Sequence, residues 1–332
     1  MNELLRLLLT AAFLTGAGAP ALAQNILVLG GNPPGSLFYT QAQALAAVIT
    51  KHTDLKVDVL PQGATTWYPM LGTGEVDLGV VSPVDAYLAY KGISPYDAST
   101  GGKGFEMRTV MLGSLNNLGI VAAKDAGIEQ MADLKGHNVV VDYGAFVASS
   151  LSGYSALAAG EVSPDDVTIV KVGSYPQGVQ AVIEGRADAA VGSLGSGVIR
   201  ELDSARGAKF LSLPNTPEAL KRVREVAQGF SLGEVAKGPP GLVENTVMLQ
   251  YPVTIIGRAD LEPEALKAAI KALYEHYEEL GPVHPSLKSW TPDRFASTAA
   301  VIPYHPAAIE YYREVGLWTP EMDAHQEMLL KQ

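Results

Sequence analysis

The chain has 332 residues, which is enough for one large α/β domain or for two lobes. Its 24 lysine and arginine residues against 35 aspartate and glutamate residues give a net charge of −11, which excludes nucleic acid as the main partner because such proteins need a concentrated basic patch. Cysteine is absent, which excludes disulfides, thiolate metal sites and cysteine nucleophiles, whereas a hydrophobic fraction of 47% allows a sizeable core.

Residues 1–23 have the pattern of a secretory signal peptide. Arg6 supplies positive charge, Leu7 to Leu14 form a short apolar segment, and Ala21-Leu22-Ala23 has the form of a cleavage site. The apolar segment is shorter than the roughly 20 residues that a membrane-spanning helix needs. We therefore expect cleavage before Gln24, export of the mature chain, and a periplasmic location in a Gram-negative host.

Short β-branched segments alternate with helical patterns along the rest of the chain. The first group of predicted elements consists of strands at 26–29, 56–60 and 76–81 and helices at 36–50, 65–71 and from 83 onward. The same order restarts with strands at 139–141 and 167–172 and helices at 145–159 and from 175 onward, and a late amphipathic helix is predicted at 263–280. This alternation predicts an α/β fold with helices on both faces of a mostly parallel sheet.

Two segments of the chain share one pattern. In residues 70–82 and again in residues 182–193, a helix ends at glycine, a turn containing aspartate follows, and a short apolar strand leads to serine. The aspartates, Asp77 and Asp188, are expected to stabilise these turns. Glycine–aspartate turns are common, but the matching order on both sides favours two lobes of similar build over chance or a short-period repeat protein.

Two further strands, at 109–123 and 253–257, are predicted to cross between the lobes. Lobe I then comprises residues 24–119 together with 253–332, and lobe II comprises residues 120–252. The predicted architecture has two hinge strands and a ligand cleft between the lobes.

Recognised catalytic and cofactor motifs are missing. Residues 30–36 nearly form a phosphate-binding loop, but no lysine follows Gly35. The six histidines are scattered, and there is no H-E-x-x-H, G-x-S-x-G or S-x-x-K motif. We expect no metal, no cofactor and no catalytic residues.

Four predicted helices begin directly after a strand. Their starts are Gly35-Ser36, Thr65-Thr66, Ser82-Pro83 and Gly144-Ala145. A helix N-terminus presents free N–H groups and partial positive charge, and ligands of open parallel sheets bind outside the carboxyl ends of the strands. Any one of these starts is equally typical of a satisfied helix cap. Together, they predict a cleft for a small carboxylate.

The residues predicted to contact the ligand fall into four groups. Amide and hydroxyl donors from lobe I are Gly35, Ser36, Thr65, Thr66 and Ser82. Residues that close the site from lobe II are Tyr143, Ala145, Phe146 and Val147. The aromatic walls are Trp67 and Tyr39. Finally, Asp85 accepts a hydrogen bond from an ammonium or hydroxyl group of the ligand, with capping of its own helix as the competing role.

Six segments, spread over nearly the whole mature chain, match a family pattern in order and spacing. They are Gly35-Ser36-Leu37-Phe38-Tyr39, Gly74-Glu75-Val76-Asp77-Leu78, Ala86-Tyr87-Leu88-Ala89-Tyr90, residues 124–136, His284-Pro285-Ser286-Leu287-Lys288 and residues 305–313. This pattern resembles the TAXI-type solute-binding proteins of tripartite ATP-independent periplasmic (TRAP) transporters.

The resemblance implies a two-lobed, type II periplasmic-binding-protein-like fold. It also implies a glutamate-like ligand, a TRAP-type membrane permease as partner, and action as a monomer. The chain departs from the family pattern at residues 62–67, at Val84 and at residues 143–147, where aromatic and apolar side chains replace polar ones. These departures favour a less polar or aromatic carboxylate. The alternatives are a solute-binding protein of an ABC-type importer, a periplasmic α/β enzyme, and an adhesion or surface protein.

Overall fold

A computed structural model describes residues 26–144 and 146–332 of the chain. The predicted signal peptide and Ala145 lie outside these residues. The described residues form one mixed ten-stranded sheet accompanied by eleven α-helices and six short 3-10 turns. None of these helices combines the length and the apolarity needed to cross a membrane.

The ten strands are numbered in chain order. They are β1 (Ile26–Gly30), β2 (Lys56–Leu60), β3 (Leu78–Val81), β4 (Met107–Ala123), β5 (Asn138–Asp142), β6 (Thr168–Lys171), β7 (Ala189–Ser193), β8 (Ala208–Phe210), β9 (Ser231–Val235) and β10 (Thr246–Arg258).

The α-helices are numbered in the same way. They are α1 (Leu37–His52), α2 (Ala64–Thr73), α3 (Pro83–Lys91), α4 (Asp97–Thr100), α5 (Val147–Ala159), α6 (Tyr175–Ile183), α7 (Gly197–Arg206), α8 (Pro217–Val226), α9 (Pro263–Glu275), α10 (Pro306–Glu314) and α11 (Pro320–Leu330).

The strand order is β2-β1-β3-β10-β4-β7-β5-β6, with β8 beside β4 and β9 beside β10. Strand β1 is parallel to β2 and β3, and β5 is parallel to β6 and β7. Between these two parallel groups, β10 and β4 run antiparallel to each other and to their outer neighbours. The sheet is therefore parallel in each half, as predicted, but antiparallel in its middle.

The two long strands connect the two halves of the sheet. The first part of β4 pairs with β10, and its last part, from Leu118 to Ala122, pairs with β7. The β10–β4 ladder shifts register between Pro252 and Thr254 and again between Ile255 and Ile256. Proline cannot donate to a ladder and is typical of such bulges, so the connection is locally irregular at Pro252.

Several predicted element ends differ from the observed ones. Helix α2 ends at Thr73 and is capped by the left-handed Gly74, so Gly72, the predicted end, lies inside the helix. The late helix ends at Glu275, and a 3-10 turn at Tyr277–Glu279 replaces its last predicted turn. Strand β10 begins at Thr246, seven residues before the predicted start at Val253. The prediction is late because polar residues interrupt the apolar pattern in the first half of this strand.

The paired aspartates perform equivalent roles in the two halves. The Asp77 carboxylate accepts a 2.9 Å hydrogen bond from the backbone N–H of Val28 in β1. The Asp188 carboxylate likewise accepts a 2.9 Å hydrogen bond from the backbone N–H of Asn138 in β5. Each aspartate thus ties the turn before one strand to the backbone of the adjacent parallel strand, as the shared sequence pattern predicts.

Candidate functional site

A cavity lies at the carboxyl ends of the strands, between the two halves of the sheet. It encloses about 630 Å³, including space that is open to solvent. Nineteen residues line it: Asn32, Ser36, Leu37, Phe38, Ala64, Val80, Val81, Ser82, Asp85, Asn116, Leu118, Phe146, Val147, Ala148, Ser149, Ser152, Tyr175, Ser193 and Tyr251. No lysine, arginine or histidine is among the described lining residues, so no basic side chain is present there to neutralise a bound anion.

The N-termini of five helices, α1, α2, α3, α5 and α6, lie at this cavity. Helix α1 begins there behind Ser36, whose hydroxyl accepts a 3.2 Å hydrogen bond from the N–H of Tyr39. Helix α5 begins there with Val147, and neither α1 nor α5 has an acidic residue in its first turn. The first turn of a helix leaves N–H groups without partners inside the helix, so α1 and α5 give the cavity a partly positive side.

The start of helix α3 gives the cavity an acidic side instead. The hydroxyl of Ser82 accepts a 3.1 Å hydrogen bond from the N–H of Asp85, which is the third residue of the helix. The Asp85 carboxylate therefore stands at the helix N-terminus and offsets its partial positive charge. A helix start that already carries a carboxylate is a poor site for a second anion.

The Asp85 carboxyl group is buried without a cationic partner. Its side chain lines the cavity, only 6% of the residue is exposed, and no ion pair to it is present among the described residues. One oxygen, Oδ1, accepts a 2.6 Å hydrogen bond from the hydroxyl of Tyr96. Burial raises the pKa of Asp85 to about 6, although the hydrogen bond from Tyr96 favours the charged form.

A connected group of polar side chains forms the base of the cavity on the crossing strands. The amide of Asn116 in β4 donates a 2.9 Å hydrogen bond to the hydroxyl of Tyr251 in β10. The hydroxyl of Ser193 in β7 donates to the other end of the same amide at 2.8 Å. The hydroxyl of Tyr175 accepts from the backbone N–H of Ser193 at 2.8 Å. These bonds fix polar groups where the two halves join.

Contacts also bridge the two halves around the rim of the cavity. The N–H of Gly197 donates a 3.1 Å hydrogen bond to the carbonyl of Gly35. The ring of Phe146 lies so close over Gly63 that a Cβ atom there would stand 2.5 Å from the ring. The two halves therefore contact each other beside the cavity.

The structure brings some of the residues predicted for the site together and places others elsewhere. The structure places Ser36, Ser82, Asp85, Phe146 and Val147 around the cavity. Gly35 stands beside it in the bridging contact to Gly197. Ala145 lies outside the described residues.

Trp67 occupies a different place from the predicted wall of the ligand site. It is fully buried, and its indole lies over Gly30 and Gly79, which are paired on neighbouring strands. A Cβ atom on Gly79 would stand 2.1 Å from the ring, and the indole N–H donates a 3.1 Å hydrogen bond to the carbonyl of Gly31. The absence of side chains at the two glycines leaves room for the ring, so Trp67 is a core residue.

Tyr143 is also a core residue and does not line the cavity. Its side chain is fully buried, and its hydroxyl accepts a 2.9 Å hydrogen bond from the N–H of Val191 while donating to the carbonyl of Val140 at 3.2 Å. Both polar functions of the hydroxyl are used inside the protein. Burial raises the pKa of Tyr143 well above its ordinary value, so the hydroxyl stays neutral.

Three further predicted contacts do not reach the cavity. Tyr39 and Thr65 are half-buried, Thr66 is exposed, and none of the three lines the cavity. Helix α2 begins with Ala64, one residue earlier than predicted, and this shift puts Ala64 at the cavity and turns the threonines away from it.

Sequence reasoning missed the polar base formed by Asn116, Ser193, Tyr175 and Tyr251. A signal was available for Asn116, because adjacent asparagines, Asn116 and Asn117, interrupt the apolar pattern of a predicted crossing strand. Polar residues in the middle of a buried strand need partners, and such partners are commonly part of a site.

Two solved structures that resemble this chain are distant from it in sequence. A protein from Bordetella bronchiseptica RB50 has a TM-score of 0.53 and 15% identity, with 90% of this chain and 91% of that chain covered. The alkanesulfonate-binding protein SsuA from Xanthomonas axonopodis pv. citri, solved with bound MOPS, has a TM-score of 0.48 and 15% identity over 92% of this chain and 94% of its own.

The described residues have the mixed α/β fold that the sequence predicts, and the Bordetella bronchiseptica protein has a similar fold. At the level of sequence, the model of the NMT1-like family matches residues 29–316, which is most of the chain. The chain therefore belongs to the NMT1-like family.

Proposed function

We propose that this protein is an extracytoplasmic receptor that binds a small organic acid in the cavity between its lobes and delivers it to a membrane transporter. The observation that carries the proposal is the cavity at the strand carboxyl ends, with the starts of α1 and α5 facing into it. Backbone N–H groups at helix N-termini bind anions without a basic side chain. The predicted signal peptide supports an extracytoplasmic location.

The Asp85 carboxylate in the cavity limits which organic acids can bind as ligands. A ligand that carries only negative charge would be repelled by Asp85, because no cationic side chain of residues 26–144 or 146–332 forms an ion pair with this carboxylate. A ligand with an ammonium group satisfies both sides: its carboxylate faces α1 and α5, and its ammonium faces Asp85. We therefore favour an amine-bearing carboxylic acid, with Leu37, Phe38 and Val147 contacting its apolar part.

We propose that the chain divides into the two lobes that the sequence predicts. Residues 24–119 with 253–332 form lobe I, and residues 120–252 form lobe II, so that the chain changes lobe inside β4 and β10. The register shift beside Pro252 supports this division, because an irregular ladder bends more easily than a regular one. Closure is a hinge motion about these strands, and the ligand favours the closed form by binding it better.

The proposal also names the type of membrane transporter that this receptor serves. The sequence motifs favour a TRAP-type permease over an ABC-type importer, and no catalytic arrangement supports the rival interpretation as an enzyme. Affinity purification from detergent-solubilised membranes distinguishes the two transporters, because the first yields permease subunits and the second yields an ATPase.

Matched pairs of acids test the function and the role of Asp85 separately. The pairs are glutamate with glutarate, 4-aminobutanoate with butanoate, and phenylalanine with 3-phenylpropanoate. At least one amine-bearing acid is expected to raise the melting temperature, since a ligand at a hundred times its Kd adds about 2.7 kcal/mol to stability. Its partner without the amine should bind about tenfold more weakly or worse. Failure of every acid contradicts the receptor function, whereas equal binding within the pair contradicts only the role of Asp85.

The variant Asp85→Asn should lose affinity for the amine-bearing acid and gain stability without ligand. The pKa of Asp85 is raised from 3.8 to about 6 in the folded chain, so the folded state binds a proton more tightly than the unfolded state. The charged carboxylate therefore costs about 3 kcal/mol near pH 7, a cost that decreases as the pH falls through 6. Asparagine lacks that cost and can still accept from Tyr96. Denaturation at pH 7.5 and at pH 5 checks this, and an unchanged affinity and stability would contradict it.

A further inference from the structure

We infer that a second site, remote from the ligand cavity, binds a divalent transition-metal ion such as zinc. Its candidate ligands are His52, His276 and Glu279, whose coordinating atoms all lie within 4.8 Å of one another. His52 Nε2 is 3.0 Å from an oxygen of Glu279, and the two imidazole rings are stacked with centroids 3.5 Å apart and planes inclined by 8°. Two imidazoles and a carboxylate form a common zinc ligand set, to which water adds the fourth ligand.

The surroundings of this cluster favour a cation. His52 is the last residue of α1, and His276 follows the last residue of α9, so two helix C-termini with partial negative charge point towards it. The side chains are accessible, with 20% of the His52 side chain and 37% of the Glu279 side chain exposed. None of the three residues lines the ligand cavity.

Metal binding requires a small rearrangement. Tetrahedral zinc with bonds of about 2.0 Å separates its ligand atoms by about 3.3 Å, close to the existing distance between His52 and Glu279. Because a metal lies near the plane of each coordinating ring, the stack must open by rotation of the His276 ring. Lys51 competes with the metal, since its ammonium is 2.9 Å from the second oxygen of Glu279. A bound ion would tie α1 to the end of α9, two segments far apart in the sequence.

Titration of the metal-free full chain with zinc chloride tests the inference. Calorimetry should show one saturable site, and zinc but not magnesium should raise the melting temperature. His276→Ala should weaken zinc binding by at least about tenfold, and Glu279→Gln should weaken it as well. His325→Ala is the matched control, because the His325 ring contacts the carbonyl of Ala300 elsewhere.

A second variant distinguishes a metal site from a pair of histidine rings, His52 and His276, that stack without binding metal. Lys51→Met frees the second oxygen of Glu279 and removes a positive charge, so zinc affinity should rise. Circular dichroism and melting without metal establish that each variant is folded. Absence of saturable zinc binding, or binding that His276→Ala leaves unchanged, would overturn the inference.

Discussion

Replacing Ala148 with tryptophan is expected to abolish ligand binding while the chain remains folded. Ala148 lines the cavity in the first turn of α5 and is half-buried, so a larger side chain projects into ligand space and displaces little of the core. The indole also covers the helix N-terminus that is proposed to hold the carboxylate. The expected loss of affinity is at least about a hundredfold, which is about 2.8 kcal/mol.

The measurement is calorimetric titration with the acid that most stabilises the wild-type chain. Ala324→Trp is the matched control, because it places the same side chain on an exposed position of helix α11 and should leave the affinity unchanged. Binding of the acid to the Ala148 variant with wild-type affinity would remove the start of α5 from the site.

Replacing Gly79 with valine is expected to be the most destabilising of the changes considered. The indole of Trp67 occupies the space above this glycine, and even a Cβ atom there would stand 2.1 Å from the ring. The glycine lies in the buried strand β3, where neighbouring strands hold the backbone in place on both sides. Overpacking of this kind costs about 3 kcal/mol, and chemical denaturation measures the change in the free energy of unfolding.

A double-mutant cycle shows whether the indole is the cause. Adding Trp67→Leu to the Gly79 variant should recover part of the stability, because the smaller side chain leaves room for valine. Gly72→Ala is the control, since nothing lies within 4 Å of a Cβ atom at that helical position. If Gly79→Val unfolds at the wild-type denaturant concentration, the indole does not fill the space as described.

The strands and helix starts were largely predictable because they depend on local chemistry. A buried strand followed by serine and proline marks the start of α3 regardless of the rest of the fold, and Ser82 does cap that helix. Likewise, the shared turns at Asp77 and Asp188 revealed two halves of similar build, because each aspartate binds the backbone of the neighbouring strand.

The side chains that face the ligand were less predictable because they depend on which strands are neighbours. The aromatic character of Trp67 suits a ligand wall as well as a core, and only the pairing of Gly30 with Gly79 reveals the space that buries it. The role of Tyr143 depends in the same way on its neighbour Val191. The partners of Asn116, Tyr251 and Ser193, lie on two different strands, so the sequence suggests a polar site there but not its composition.

Mass spectrometry of the small molecule that co-purifies with the natively expressed chain is the most direct test of the proposed ligand, an amine-bearing carboxylic acid. We expect one organic acid that carries both a carboxylate and an amine, that is released when the protein unfolds, and that is absent from the Ala148→Trp variant. A co-purified ligand that lacks a carboxylate, or one that the variant retains in equal amount, would contradict it.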